Sequence, residues 1–306
     1  MSTKVKLFFS RWWTYQRERF PVFAHGLLIA IFASSAMGYT YSVQDQLTAI
    51  SLPALLVAFI NCFLFFLLLR IADEFKDFDD DMRYRSYRPV PRGLVSLKEL
   101  GWLAVLISLI QLLLTIWIST SILTIYAIAL CYFLLMSKEF FVHEWLKKHA
   151  IVYLLSHMLI MPLIALYATS FYWLKNETEL PMLLGFLLVS FVSGIVLEIG
   201  RKIRAPEMEE QGVETYSVLW GADRAAKVWC IVLVCSAFVV LYAASFIESV
   251  PVVLFVCLLI VILALINTHS FLKNKTQKTA KRFETLSGLW TLGAYGSLGL
   301  LPLVLK

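Results

Sequence analysis

Along the chain, long apolar runs alternate with short charged stretches. A helix needs about 20 apolar residues to cross a bilayer. Nine runs qualify, at roughly 21–41, 50–71, 100–118, 121–137, 150–168, 181–200, 226–246, 250–268 and 286–304. The pattern predicts an all-α, polytopic membrane bundle of about nine helices. Almost nothing separates the third and fourth runs, which read as a helical hairpin. Ahead of the first run, residues 4–20 mix cations with Trp12, Trp13, Tyr15 and Phe20. That mixture predicts an amphipathic segment, 1–20, lying at the membrane interface, before a single membrane domain, 21–306. No internal repeat, glycine-rich nucleotide loop or nucleophile–His–acid constellation is present.

Composition supports this reading. Apolar residues make up 60% of the chain and charged residues 16%, and the mean hydropathy is +0.77. A soluble domain is excluded, since its apolar usage is about 45–50%. The five cysteines all fall inside predicted spans and read as small buried apolar residues, with disulfides not expected. No cleavable signal peptide is evident in the first 20 residues.

Charge then sets the expected orientation. With the N-terminus in the cytoplasm and nine alternating spans, 25 of the 27 Lys and Arg fall on the cytoplasmic side, and only Lys175 and Lys306 fall outside. This asymmetry predicts a multi-pass protein, of a bacterial inner membrane, with its charged loops in the cytoplasm. The net charge of +6 is explained by topology and implies no nucleic-acid partner.

One stretch concentrates charge of both signs. Asp73 to Ser96, DEFKDFDDDMRYRSYRPVPRGLVS, begins as the second run ends. In a continued helix Asp73, Asp77 and Asp81 would share one stripe, each step of four turning by about 40° and rising about 6 Å. Glu74 would lie beside the first, and Asp79 and Asp80 would point to water. Stacked carboxylates repel, and a hard cation relieves them. Mg²⁺ typically takes one or two carboxylates and completes its shell with phosphate and water. Arg85, Arg88 and Arg92 follow, and the arginine fork suits phosphate oxygens. The plain alternative is a solvated acidic loop.

Asp73-Glu74-x-x-Asp77-x-x-x-Asp81, then Arg88-Pro89-x-Pro91-x-Gly93-x-x-Ser96, resembles the first motif of the UbiA-type intramembrane prenyltransferases. That motif reads Asn-Asp-x-x-Asp-x-x-x-Asp, then Arg-Pro-x-Pro-x-Gly-x-x-Ser. Asp73-Glu74 stands where the family has Asn-Asp, which keeps the second acid. The resemblance covers nearly the whole chain and implies a cytoplasmic-facing site that uses Mg²⁺ and an isoprenyl diphosphate.

The second charged stretch departs from that family. Its Gly-x-x-Thr tail is present as Gly212-Val213-Glu214-Thr215, ahead of Leu219-Trp220-Gly221. Its paired aspartates are not. Glu198, Arg201, Lys202 and Arg204 come instead, followed by Glu207, Glu209 and Glu210. Glu198 and Glu207 are the remaining candidates for a second metal. The three cations could clasp phosphate directly, while Glu198 could pair internally with Lys202.

Other polar residues divide between packing and function. Asn61, in mid-span, either lines a substrate chamber or bonds a neighbouring helix. His25 reads as a packing residue, and packing is favoured for His157 over a pocket role. His143 and His149 fall in a predicted amphipathic surface helix, and 269–285 reads as a basic soluble loop.

The expected activity is Mg²⁺-dependent transfer of a prenyl group from an isoprenyl diphosphate to an aromatic or lipid-like acceptor in the bilayer. Asp73, Asp77 and Asp81, with Glu74, would hold the metal. Arg85, Arg88, Arg201, Lys202 and Arg204 would neutralise the diphosphate, with Asn61 at the substrate. The alternatives are transfer of phosphoribosyl or a similar group to a polyprenyl phosphate, cyclisation of a prenyl diphosphate, or, outside enzymes, a transporter.

Overall fold

The computed structural model describes residues 3–44, 49–176, 180–247 and 250–304, and those residues contain helices but no strand. The helices are α1 Thr3–Arg19, α2 Val22–Val43, α3 Leu52–Lys76, α4 Phe78–Tyr84, α5 Leu97–Ile118, α6 Leu123–Ser137 and α7 His143–Lys148. They continue with α8 Ala150–Met158, α9 Ile160–Asn176, α10 Leu180–Gly200, α11 Tyr216–Trp220, α12 Ala222–Ala244, α13 Val250–Lys273 and α14 Gln277–Tyr295. A π-helical turn, Gly296–Leu300, joins α14 to the short α15, Leu301–Val304.

By length and composition, eight helical segments of the described residues can span a membrane. They fall on the first eight apolar runs, with α8 and α9 acting as one span stepped near Leu159. The ninth run, 286–304, corresponds to the second half of α14, the π turn and α15. The first half of α14 carries Lys278, Lys281, Arg282 and Glu284.

The basic loop expected at 269–285 is almost entirely helical, which corrects that expectation. α13 runs on to Lys273, and Thr276 and Thr279 form a reciprocal capping box that starts α14. The buried faces of Phe271, Ala280 and Phe283 explain the helicity, since a polar solvated loop would leave them without partners.

In lipid, helices associate through close packing and interhelical hydrogen bonds, because burial of apolar surface no longer distinguishes protein from solvent. Ala33, Ala36, Ala58, Ala225, Ala226 and Ala264 are fully buried and let backbones approach. α10 packs on α9, α12 and α14, and α2 on α3, α9 and the π turn. Trp229 Nε1 donates to Val196 O at 3.1 Å and Ser287 Oγ at 2.9 Å, fastening α10, α12 and α14 at one point. At the α2–π turn seam the chains touch backbone to backbone. A Cβ on Gly38 would collide with Gly299 O, and one on Gly299 with the Ser35 backbone.

α1 lies against the charged end of the bundle. Arg11 pairs with Glu99 at 2.6 Å, Glu18 with Arg92 at 2.9 Å, and Arg19 with Glu74 at 2.5 Å. Tyr15 and Phe20 are buried beneath it.

Candidate active site

The expected carboxylate stripe is interrupted at its middle member. α3 ends at Lys76, its cap Asp77 (φ −90°, ψ 7°) leaves the helical range, and α4 begins at Phe78. Asp73 on α3 and Asp77 at its cap remain one turn apart, while Asp81 lies on α4. Glu74 and Asp81 face inward and are almost wholly buried.

Arginines fill those two buried positions. Asp81 is paired with Arg85 Nε at 2.7 Å and accepts from Arg88 Nη1 at 2.7 Å, with Arg19 Nη2 at 4.0 Å. Glu74 takes Arg19 Nε at 2.5 Å and Arg70 Nη2 at 3.5 Å. A buried carboxylate would be costly alone, and the arginines meet that cost locally. The arrangement positions Arg85 and Arg88 as well as the acids.

Asp73 and Asp77 are the open pair. The Asp73 side chain is 40% exposed, with only long contacts, to Arg70 at 3.7 Å and Lys76 at 3.9 Å. Asp77 has no ion-pair partner among the described residues. Burial raises its carboxyl above the ordinary aspartate range. Lys76 opposes that rise, and the charges of Asp73 and Asp81 add to it. Two crowded carboxylates without hydrogen-bond donors are a donor set that one Mg²⁺, completing its shell with phosphate and water, would fit. No group of three His, Cys, Asp or Glu side chains gathers as metal ligands among the described residues. Asp79 and Asp80 are exposed.

The Pro-x-Pro-x-Gly segment is a compact turn. Arg92 N donates to Arg88 O at 3.0 Å, Leu94 N to Pro89 O at 2.8 Å, and Gly93 takes a positive φ of 75°. Ser96 and Glu99 then form the capping box that opens α5.

Opposite stands the end of α10. Glu198 accepts from Lys202 Nζ at 2.8 Å and from Arg201, so the internal pair inferred from spacing is present. Arg201 lies within electrostatic reach of Asp73. Lys202 Nζ sits 5.7 Å from the centre of the Tyr216 ring. Arg204 is drawn away, to Met208 O at 3.1 Å and Glu210 at 3.3 Å. Glu207 accepts from Gln277 N at 3.0 Å, so Glu198 and Glu207 have separate partners. A cavity of about 390 Å³ opens on the α14 side of this segment, lined by Arg201, Arg204, Glu207, Lys281 and Glu284 among others.

The Gly-x-x-Thr tail closes the loop over the site. Thr215 caps α11 by accepting from Val218 N at 3.1 Å, and Tyr216 N donates back to Lys202 O at 3.1 Å. Gly212 (φ 72°) lies flat on the Tyr84 ring, leaving no room for a Cβ, and Tyr87 OH donates to Glu210 at 3.0 Å. The two charged stretches, more than 100 residues apart in sequence, thus touch directly.

Four contributors were not expected from the sequence. Arg19 arrives from α1. Lys76, inside the acidic motif, donates to Tyr153 OH at 2.7 Å. Tyr153 in turn donates to the buried Glu139 at 3.3 Å, and Glu139 also holds His143. Glu139, Phe140 and Phe141 all have positive φ (47°, 54° and 60°). Such left-handed non-glycine backbone costs energy and turns Glu139 inward. Arg19 lies 55 residues from Glu74, and Tyr153 lies 77 residues from Lys76. The only local signal was the polar side chains themselves.

Asn61 is not part of the charged site. It is fully buried, and its amide donates to Tyr167 OH at 2.8 Å and Thr115 Oγ1 at 3.4 Å, while Gln111 donates to the Asn61 carbonyl at 2.9 Å. These bonds fill the interhelical role open to it.

The fold and site define a multi-pass helical membrane protein with a buried acid–arginine cluster at one end of its bundle. The family model described as the UbiA prenyltransferase family matches residues 76–292. The chain belongs to that family and is a membrane prenyltransferase. The matched region begins just after Asp73 and Glu74.

Solved structures share the fold. A UbiA homologue from Aeropyrum pernix K1 in its apo form aligns with a TM-score of 0.66 at 12% identity, covering 88% of this chain and 96% of that one. A homologue from Archaeoglobus fulgidus bound to GPP and Mg²⁺ gives 0.56 at 15%, covering 93% and 99%. A digeranylgeranylglyceryl phosphate synthase gives 0.59 at 17%, covering 94% and 99%. No match was found among curated proteins.

Proposed function

We propose that this prenyltransferase moves a prenyl group from an isoprenyl diphosphate to a hydrophobic acceptor, and that it requires Mg²⁺. The observation that carries the reading is the open Asp73–Asp77 pair, one helical turn apart and ringed by cations. The relative bound to GPP and Mg²⁺ supports the donor class. The relative that makes a glyceryl phosphate lipid supports a lipid-like acceptor.

Asp73 and Asp77 would hold the metal, which supplies positive charge to the leaving diphosphate. Glu74 and Asp81 act one step back, holding Arg19, Arg85 and Arg88 in place. Arg88 and Arg85 on one side, with Arg201 and Lys202 on the other, take up the charge that develops as the carbon–oxygen bond breaks. Lys202 and Arg201 stand where the family has a second aspartate pair, so direct cationic contact replaces a second metal there. The apolar bundle below keeps water from the allylic cation. The bias of Lys and Arg toward this end supports a cytoplasmic-facing site.

The test is purified protein with geranyl diphosphate, with and without Mg²⁺. Ligand-dependent thermal stabilisation and diphosphate release should both require the metal and be lost in Asp77→Asn. Undiminished release by Asp77→Asn, or a preference for phosphoribosyl diphosphate over prenyl diphosphates, would overturn this reading.

A further inference from the structure

His157 has a nitrogen that the fold leaves unused. It lies on the buried face of α8 and is 8% exposed. Its Nδ1 is 2.9 Å from Tyr153 O. A carbonyl oxygen can only accept, so Nδ1 carries the hydrogen and Nε2 carries a bare lone pair. Nε2 is buried and meets no hydrogen-bond partner among the described residues. The ring is clamped, stacked on Tyr153 with centroids 3.9 Å apart and met edge-on by Phe140 at 6.3 Å. A buried acceptor without a donor carries its full desolvation cost, and a ligand hydroxyl would remove it.

The position of this nitrogen matters. Tyr153, one turn earlier on α8, takes Lys76 at its hydroxyl, and Lys76 adjoins Asp73. His157 is about 6 Å further along the helix, away from the charged end. Lys76, Glu139 and Asp73 remain within its electrostatic reach. The imidazole therefore stands between the acid–cation cluster and the apolar interior. A prenyl donor anchored at the cluster by its diphosphate would present its reacting carbon at that level.

We propose that His157 Nε2 receives the acceptor's hydroxyl group, so that the acceptor is an alcohol or a phenol and the new bond is an ether. This rests on the proposed transferase reading. The hydroxyl oxygen supplies the electron pair of the new carbon–oxygen bond, and the leaving diphosphate keeps the pair of the bond that breaks. The O–H pair stays on the acceptor oxygen, and its proton passes to Nε2 and then to water. The fixed Nδ1 tautomer makes His157 ready to accept that proton.

The experiment separates hydroxyl recognition from donor chemistry. Purified wild type, His157→Phe and Asp77→Asn are titrated with two matched pairs, 1-O-hexadecylglycerol against its dimethyl ether, and 4-hexylphenol against 4-hexylanisole. Geranyl diphosphate with Mg²⁺ is titrated separately. The wild type should bind at least one hydroxyl compound about tenfold more tightly than its ether. His157→Phe should lose that preference while keeping donor binding, which shows it folded. Asp77→Asn should keep the preference and lose the donor. Preference for the glycerol pair points to a lipid alcohol, and preference for the phenol pair to an aromatic acceptor. Equal binding of hydroxyl and ether forms by wild type, or an unchanged preference in His157→Phe, overturns the proposal. Absence of donor binding in wild type overturns the transferase reading instead. If His157→Phe does not fold, His157→Gln, whose amide oxygen still accepts, decides: a retained preference supports the proposal and a lost one refutes it.

Discussion

Arg19 Nε stands 2.5 Å from Glu74 Oε1, and the two side chains are only 9% and 1% exposed. Removing one partner of a buried pair leaves a desolvated charge, which costs about 3–5 kcal/mol. Arg70 at 3.5 Å covers part of that loss. Arg19→Ala should therefore destabilise the protein by about 3 kcal/mol, read as a lower midpoint of unfolding in detergent. Arg19→Met with Glu74→Met should recover most of it. A double variant no better than the single would mean that α1 is held by packing alone.

Asp77 makes a pH prediction. Because burial raises its carboxyl pKa, the folded chain binds that proton more tightly than the unfolded chain does. Charged Asp77 thus costs stability above the raised pKa, and the cost disappears as pH falls below the ordinary value of about 3.9. Without Mg²⁺, Asp77→Asn should be more stable than wild type at neutral pH, with the gap closing on acidification. Added Mg²⁺ should stabilise wild type and not the variant. Thermal unfolding across pH, with and without the metal, checks both.

Gly212 links the two charged stretches. Gly212→Ala should cost about 1–2 kcal/mol for its left-handed backbone, plus the clash with Tyr84. Tyr84→Ala in the same chain should return the second part only. Limited proteolysis of the 205–215 segment should report the loosening.

Asn61 and Tyr167 form a bond remote from the charged end. Tyr167→Phe should lower stability by about 1 kcal/mol and leave donor affinity unchanged. A weakened affinity for geranyl diphosphate would return Asn61 to the substrate chamber.

The spans were legible because bilayer thickness imposes a length on apolar runs, whatever the packing. The acidic motif was legible because its residues are local. The stripe of three carboxylates assumed that α3 continues past Asp77. No periodicity signals the break there, which shows only in the Asp77 backbone. Arg19, Tyr153 and Glu139 reach the site from other segments, so only tertiary packing reveals them. The 269–285 stretch looked like a loop because its cations masked the apolar face of Phe271, Ala280 and Phe283.

The glycine seam between Gly38 and Gly299 joins α2 to the π turn. Synthesis proceeds from the N-terminus, so α2 enters the bilayer with that face uncovered and waits for about 260 further residues. That seam cannot close before residue 299 is made, and a nascent chain arrested before residue 296 leaves this face of α2 without its partner.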